Sequence, residues 1–404
     1  MPLENFVTMK IAVLTCGMLP IPAVQGGAVE NKIDFLLEYN DRMKLHDITV
    51  YSPWNKMASM HPAVSSAVNH YVFIDVSSFK ARLARRLYGH FHSDEYYNYF
   101  IEYYFEKIYS HLKNQNYDCI YLDNCPGYVY KLSQRGHKNI ILRLGNDLLN
   151  STTKHNELIF DNLSIILTCS NFVREKVATI RRDKKIQTLY NGVDVKAFSS
   201  TSEQQKRRTD IGLSEDDFVM VYSGRLNKEK GVSELIDAML AIHDKPNIKL
   251  MMIGSPFFGD VANEDDFVRE LKQKAKDIKD RIVFTGYIPH SQLPQYLKLS
   301  DIAVIPSLWD DPCPNTVLEA QAMGLPLITT CRGGIPEEVT EKNAILLETD
   351  EHFVDNLTTA ILDLYEHPEK RQQMSSAALE RADIFSKENY IKNFFSALET
   401  LGKK

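Results

Sequence analysis

Positively charged side chains cluster at one predicted connection between a strand and a helix. Arg225 and Lys230 follow the apolar run 218–223 and precede a helix-length segment at 232–243, and Gly224 stands directly before Arg225. Parallel α/β sheets bind ligands beyond the carboxyl ends of their strands. Two cations at such a place would stabilise the negative charge that builds on a departing diphosphate. The alternative is a charged loop that is merely solvated.

A second stretch of the sequence has residues that could bind a ligand. It contains two acidic residues, Asp311 and Glu319, separated by seven residues. Prolines at 312 and 314 predict a loop that ends where a helix begins near Asn315, so one carboxylate lies on the loop and the other on the helix. The free N–H groups of Asn315 and Thr316 are available to a phosphate. Each carboxylate can accept two hydroxyl hydrogen bonds. The pair suits a sugar and a ribose flanking a diphosphate, although two acids at this spacing also arise by coincidence.

A pair of glycines, Gly26 and Gly27, follows the first predicted strand and precedes a helix that begins near Ala28. Glycine lets backbone N–H groups approach an anion at the positive end of a helix. A tight connection without a ligand is the alternative. The spacing differs from the Gly-x-Gly-x-x-Gly of dinucleotide-binding proteins, so NAD binding is not favoured.

The elements that must position these residues follow from the alternation of short apolar runs with amphipathic segments, which is typical of parallel, doubly wound sheets. We predict an α/β protein with two Rossmann-like domains whose sheets face each other across a cleft. An Asn-Gly turn and a polar run place the boundary within 191–202. The predicted strands are 10–15, 48–51, 71–75, 119–122, 140–144, 165–168 and 186–189 in the first half, and 218–223, 249–253, 282–285, 302–306, 325–329 and 344–347 in the second.

Composition excludes several classes of protein. The chain has 404 residues and a formal net charge of −6, which gives no reason to expect a nucleic-acid partner. Its six cysteines form no Cys-x-x-Cys pair and its histidines form no ligand-spaced cluster, so we predict neither disulfides nor a metal site. Gly-x-Ser-x-Gly and Walker elements are missing from the sequence. We expect a cytoplasmic protein. The inner face of the plasma membrane is the alternative location.

Taken together and in this order, the motifs resemble those of the retaining glycosyltransferases of family four. The resemblance implies a GT-B fold, a nucleotide-sugar donor held mainly by the C-terminal domain, no required metal or other cofactor, and a last helix that returns to the N-terminal domain. The domains would then be 1–195 with 387–404, and 196–386. The motifs are Gly26-Gly27, Asn191-Gly192-Val193-Asp194, Gly224-Arg225-Leu226 with Lys230-Gly231, the run from Asp311 to Gly324, and Gly333-Gly334-Ile335-Pro336-Glu337.

The resemblance also implies roles for individual residues. Arg225 and Lys230 would hold the diphosphate, Glu319 the ribose and Asp311 the donor sugar. The loop 286–289, which contains Ile288, resembles the segment that contacts the nucleobase.

Two positions depart from the pattern of this family. Asp311 stands where the family has a glutamate, which keeps the charge and shortens its reach by one methylene. Gly145 stands where the family usually has a histidine that contacts the 6-hydroxyl of the donor sugar. We derive from this gap the hypothesis that the donor is a 6-deoxy sugar such as rhamnose. The alternatives are that Asn146 or Asp147 replaces the histidine, or that the motif is slightly shifted.

The segment 76–93 contains no acidic residue, and basic side chains alternate in it with apolar ones. Such a segment suits an anionic membrane surface or a lipid-diphosphate acceptor, the alternative being a solvated helix face. The aromatic run that follows, 96–109, has helical spacing and is expected to pack in the core. The basic residues are Lys80, Arg82, Arg85, Arg86, His90 and His92, and the apolar ones are Phe79, Leu83, Leu87, Tyr88 and Phe91.

The function predicted from the sequence is transfer of a hexose or deoxyhexose from a nucleotide-diphosphate sugar to a hydroxyl of a carbohydrate or lipid-linked acceptor. The transfer is expected to retain the anomeric configuration. Its expected role is in cell-surface polysaccharide or glycolipid assembly. One alternative is another GT-B enzyme, a synthase or phosphorylase with a small soluble acceptor. The other is a non-catalytic, nucleotide-sugar-binding subunit of a polysaccharide assembly complex.

Overall fold

A computed structural model describes residues 7–92, 96–199, 206–255 and 266–402. The chain divides after Tyr190 and again after Asn389 into two compact units. The Asn-Gly turn at 191–192 therefore opens the second unit. Of the polar run 199–205 used to predict the boundary, residues 200–205 lie outside the described part of the chain.

The first unit is built on a parallel sheet of seven strands in the order β3-β2-β1-β4-β5-β6-β7. Its inner strands β4 and β5 are buried along their whole length, which explains why they are apolar runs rather than alternating ones. The strands are β1 Lys10–Leu14, β2 Asp47–Pro53, β3 Asn69–Ile74, β4 Cys119–Asp123, β5 Ile140–Leu144, β6 Leu163–Thr168 and β7 Ile186–Thr188. The helices are α1 Ala28–Met43, α2 Lys56–Ser59, α3 Phe79–Phe91, α4 Tyr99–Leu112, α5 Pro126–Ser133, α6 Asn156–Asp161 and α7 Asn171–Ala178.

The second unit has a parallel sheet of six strands in the order β10-β9-β8-β11-β12-β13. The strands are β8 Phe218–Ser223, β9 Ile248–Ile253, β10 Ile282–Gly286, β11 Ile302–Ile305, β12 Leu327–Thr330 and β13 Ala344–Leu347. The helices are α8 Val195–Ser199, α9 Val232–Ala241, α10 Asp266–Lys274, α11 Leu293–Leu297, α12 Asn315–Ala322, α13 Ile335–Glu338, α14 Phe353–Glu366 and α15 Pro368–Ile384. The last helix of the chain is α16 Lys387–Gly402. The prediction of two Rossmann-like sheets is confirmed.

The last helix, α16, begins in the second unit and enters the first at Tyr390. Its aromatic side chains are buried in the core below β1 and β4, where the Phe394 ring meets the Tyr121 ring edge-on at 5.2 Å. A helix with this many apolar residues must bury them, and the first sheet provides the surface. No helix in the described parts of the chain combines the length and the apolar character that crossing a membrane requires.

Two helices of the second unit end earlier than the sequence pattern predicts. The helix predicted at 232–243 stops at Ala241, because Ile242 leaves the helical region with φ −105°. The amphipathic pattern of the sequence also predicts a helix at 267–279, but this helix stops at Lys274 and is followed by a 3₁₀ segment, Lys276–Arg281. Arg281 is buried there and donates to the carbonyl oxygens of Ile242 and Ile248, so tertiary contacts replace the last helical turn.

Candidate active site

The loops that carry the predicted diphosphate and sugar residues leave neighbouring strands of the second sheet. One loop follows β8 and the other follows β11, and these strands are paired although two others intervene in sequence. The connections from β8 and β11 thus diverge at a topological switch point, where open α/β sheets bind their ligands. The fold alone therefore brings Arg225, Lys230 and Asp311 to the carboxyl edge expected of a binding site.

Lys230 and Asp311 meet across these two loops as an ion pair between Nζ and Oδ2. Their side chains are only 17% and 11% exposed, so the pair is shielded from much of the screening that weakens surface ion pairs. The sequence predicted both residues but not their direct contact. A cation and a carboxylate fixed side by side can serve two neighbouring groups of one ligand, a phosphate and a hydroxyl.

Close backbone contacts fix the position of both loops. Gly231 has φ +66°, and a Cβ atom there would lie 1.9 Å from the carbonyl oxygen of Pro306. Gly333 approaches the Asp311 loop in the same way: its Cβ would be 2.3 Å from Asp311 O, and Gly334 N–H donates to that oxygen at 2.8 Å. These glycines let main chains approach more closely than any side chain would permit.

The Arg225 side chain is exposed, and contacts with neighbouring residues fix the main chain at this position. The buried Tyr222 hydroxyl donates to Arg225 O at 2.7 Å. Gly224 N–H donates to Ile253 O at 3.0 Å, and a Cβ on Gly254 would lie 1.9 Å from Gly224 O. The backbone beneath the guanidinium is thus ordered, while the side chain can reach a ligand at the sheet edge.

Helix α12 begins at Asn315, as predicted, after Pro314 at its N-cap. No side chain caps this end, so the N–H groups of Asn315 and Thr316 are not used by a capping residue. Asn191 reaches this turn and donates to Cys313 O and to Asn315 Oδ1, each at 2.9 Å. The sequence marked Asn191 only as part of a turn and a motif, and its bond to a residue 124 positions away could not be derived from spacing.

Glu319 on α12 is largely buried and faces His290, whose Nε2 lies 3.0 Å from Glu319 Oε1. His290 follows the loop that holds the half-buried Ile288. Sequence reasoning missed His290, although its place directly after the predicted base-contacting loop was a usable signal. The pair joins the candidate ribose carboxylate to the candidate nucleobase loop.

The remaining predicted donor residues belong to the first unit. Gly26 and Gly27 have φ +75° and +107° and connect β1 to α1. Asn146 and Asp147 follow β5, where Asn146 Oδ1 accepts from Leu148 N–H at 3.2 Å. Gly145 precedes them, and its N–H donates to Asn124 Oδ1 at 2.6 Å. The structure thus places four predicted residues at the carboxyl edge of the first sheet and the others in the second unit.

The glycine turn covers a buried carboxyl group, that of Glu30 in the first turn of α1. A Cβ on Gly27 would lie 2.1 Å from Glu30 Oε2, so the carboxyl group packs directly against this glycine. Burial raises the pKa of Glu30 from 4.5 to about 8, and the charges of Cys16 and Asp123 act in the same direction. At neutral pH this carboxyl is therefore mostly protonated.

Exchange of Glu30 for glutamine should change how stability depends on pH. Between pH 4.5 and 8 the folded wild type holds a proton that the unfolded chain has lost, so its stability falls as pH rises, by up to about 1.4 kcal/mol per pH unit. The Glu30→Gln side chain does not titrate, so the stability of this variant does not fall with pH for this reason. Thermal unfolding at pH 5 and pH 8 should show similar midpoints at the lower pH and a more stable variant at the higher.

Glu38→Gln on the exposed side of the same helix is the matched control, and its midpoint should follow that of the wild type at both pH values. A Glu30→Gln variant that tracks the wild type equally well would contradict the assignment of a neutral buried carboxyl.

Among the residues that the structure describes, no three His, Cys, Asp or Glu side chains are grouped so as to hold a metal ion. Arg225, Lys230 and the start of α12 bring positive charge to the described loops after β8 and β11.

The chain is similar to several known proteins. Residues 203–381 match the family model described as glycosyl transferases group 1. Spore coat protein SA of Bacillus subtilis is 28% identical, over 97% of this chain and 99% of its own length. The putative glycosyltransferase YtcC of the same organism is 29% identical, over 82% of this chain and 77% of its own length. The crystal structure of Anabaena Alr3699/HepE in complex with UDP-glucose superposes with a TM-score of 0.70 at 19% identity, covering 98% of this chain and 100% of that one.

The two parallel sheets, their switch-point loops and the structural match define a protein of the GT-B class. Residues 203–381, which make up most of the second unit, match the group 1 glycosyl transferases, and over most of its length the chain is similar to a putative glycosyltransferase.

Proposed function

We propose that the protein transfers a sugar, with retention at the anomeric carbon, from a nucleotide-diphosphate sugar to an acceptor hydroxyl, in cell-surface polysaccharide or glycolipid assembly. The observation that carries this proposal is the Lys230–Asp311 pair at the switch point, beside Arg225 and the uncapped start of α12. Cations and helix N–H groups suit a diphosphate, and a fixed carboxylate suits sugar hydroxyls.

In this proposal the diphosphate binds Arg225, Lys230 and the N–H groups of Asn315 and Thr316. Negative charge develops on it as the glycosidic bond breaks, and cations fixed in advance stabilise that charge without reorganisation. Lys230 then divides its interaction between Asp311 and the phosphate. The charge is met by side chains and backbone dipoles rather than by a metal ion.

The nucleoside would be held by Glu319 and the loop at Ile288. Glu319 Oε1 lies 3.0 Å from His290, and Glu319 Oε2 remains for ribose hydroxyls. His290 thereby fixes the orientation of the carboxylate. The Anabaena structure was solved with UDP-glucose, which supports a nucleoside diphosphate as the donor's leaving group.

Retention is supported by the resemblance of the motifs to family four. The acceptor hydroxyl would attack the same face that the diphosphate leaves, through a transition state with oxocarbenium character. The test is hydrolysis or transfer by the purified protein with a panel of nucleotide sugars, with the first-formed product followed by NMR. Retention predicts a product with the donor's anomeric configuration, and an inverted product would contradict it.

The same experiment separates the alternatives. Cleavage of a nucleotide sugar by the protein alone would exclude a non-catalytic subunit. Transfer only to inorganic phosphate or to a small sugar phosphate would favour a phosphorylase or synthase.

The donor sugar is proposed to be a 6-deoxy hexose such as rhamnose. Gly145 offers no side chain to a 6-hydroxyl, and the Asn146 side chain already accepts from Leu148. A site without a side chain at position 145 gains less from a donor that carries this hydroxyl.

Two nucleotide sugars that differ only at carbon 6, UDP-glucose and its 6-deoxy analogue, test this directly through their kcat/KM values. We expect the deoxy donor to be used at least as well. Efficient transfer only from glucose-, galactose- or mannose-type donors would contradict the proposal.

A further inference from the structure

Helix α3 exposes a continuous apolar stripe. Phe79, Leu83, Leu87 and Phe91 are 74%, 50%, 53% and 77% exposed, and they recur every four residues. Residues four apart lie above one another on a helix, so the four side chains form one line along its whole length. Single exposed apolar residues are normal on a protein surface, but an exposed line of this kind indicates a binding surface.

The opposite face of α3 is the one that packs on the protein. Ala81 is buried, the Arg85 guanidinium lies 4.7 Å above the Phe100 ring, and the Tyr88 ring stands 5.7 Å from that of Tyr103. At about 100° per residue, the centre of the stripe lies roughly opposite these positions. Helix α4 therefore holds α3 in place and leaves the stripe facing away from the unit.

Basic side chains border the stripe on both sides. Arg82 and Arg86 project on one side and Lys80 on the other, and all three are exposed. The segment 76–93, whose last residue lies outside the described part, has no acidic residue, whereas the whole chain has a net charge of −6. This local charge complements an anionic surface.

Another apolar segment starts at the same sheet edge. Trp54 follows β2, is 48% exposed, and donates its backbone N–H to Ile74 O at 2.8 Å, at the end of the strand that leads into α3. Met57 and Met60 are 66% and 75% exposed. Tryptophan is favoured at the boundary between headgroups and acyl chains.

We propose that α3 is an interfacial helix that docks the first unit on an anionic lipid bilayer. Phe79, Leu83, Leu87 and Phe91 enter the boundary between headgroups and acyl chains, and Lys80, Arg82 and Arg86 bind lipid phosphates. The thirteen residues of α3 are too few to span a bilayer, so the helix lies parallel to the surface. This surface is distinct from the second-unit site, so it can be tested independently of sugar transfer.

The experiment is flotation of the full chain with vesicles of phosphatidylcholine, alone or mixed with phosphatidylglycerol. The wild type should float only with the anionic vesicles, and less at high salt. Phe79→Ser combined with Phe91→Ser, and Arg82→Glu combined with Arg86→Glu, should each lower the bound fraction at least about tenfold. All four side chains are exposed, so unchanged thermal midpoints should show that the variants fold.

The matched controls are Leu379→Ser with Ile384→Ser, which removes exposed apolar side chains of α15, and Lys113→Glu with Lys184→Glu, which reverses exposed charges of the first unit. Both controls should float like the wild type. Equal flotation of the α3 variants, or failure of the wild type to bind anionic vesicles, would overturn the proposal. Self-association that the Phe79/Phe91 variant abolishes, without vesicle binding, would assign the stripe to a second copy of the chain instead.

Discussion

Replacing Lys230 by alanine should lower kcat for sugar transfer by about 100- to 1000-fold, the range observed when one fixed electrostatic contact to a transition state is lost. Lys230 is largely buried, it contacts Asp311, and its loop is fixed against Pro306. Charge on the departing diphosphate would then meet a rigid cation in the wild type and an uncompensated carboxylate in the variant. Arg225→Ala should act in the same direction.

Lys228→Ala is the matched control, because Lys228 is an exposed lysine in the same 3₁₀ turn and its loss changes the net charge equally. It should retain near wild-type turnover. Since Lys230→Ala leaves Asp311 without its cation, the thermal midpoint must be measured beside kcat. Full activity of both Arg225→Ala and Lys230→Ala would show that the diphosphate is bound elsewhere.

Exchange of Gly231 for alanine should have the largest effect on stability and also reduce activity. Its φ of +66° costs an alanine roughly 1 kcal/mol, and the new Cβ would lie 1.9 Å from Pro306 O. Relief requires a main-chain shift of either loop, which would separate Lys230 from Asp311. We expect the second unit to lose about 3 kcal/mol or more of unfolding free energy, through strain and overpacking together.

Gly212→Ala separates the two causes. Gly212 has φ +78°, and no atom lies within 4 Å of the position that a Cβ would take, so the substitution carries the conformational cost without the collision. Urea unfolding should show a loss of about 1 kcal/mol for Gly212→Ala and a clearly larger one for Gly231→Ala. Equal losses would mean that the contact with Pro306 does not hold the loops.

Much of the fold was predictable because buried parallel strands must be apolar runs. The runs at 140–144 and 218–223 coincide with β5 and β8. The start of α12 was predictable for a local reason, since Pro314 cannot continue a preceding hydrogen-bonded turn but can begin a helix. Local chemistry therefore located both loops of the candidate site.

What the sequence could not supply are contacts between distant segments. Lys230 meets Asp311 because β8 and β11 are paired. His290, in the turn after β10, meets Glu319 on α12 although 29 positions separate them in the sequence. The amphipathic pattern of α3 was visible, but periodicity does not say which face packs inward. Only the contacts of Arg85 and Tyr88 with α4 show that the apolar stripe faces away from the unit.

The measurement that tests the proposed donor site most directly is calorimetric titration of uridine, guanosine and thymidine diphosphates into the full chain and its Lys230→Ala variant. The site predicts that at least one of the three binds the wild type, that the matching monophosphate binds more weakly, and that the variant loses at least about tenfold in affinity, as expected for a charge-assisted contact. If no diphosphate binds, or if the variant binds as tightly as the wild type, Lys230 and Asp311 do not form the donor site of this protein.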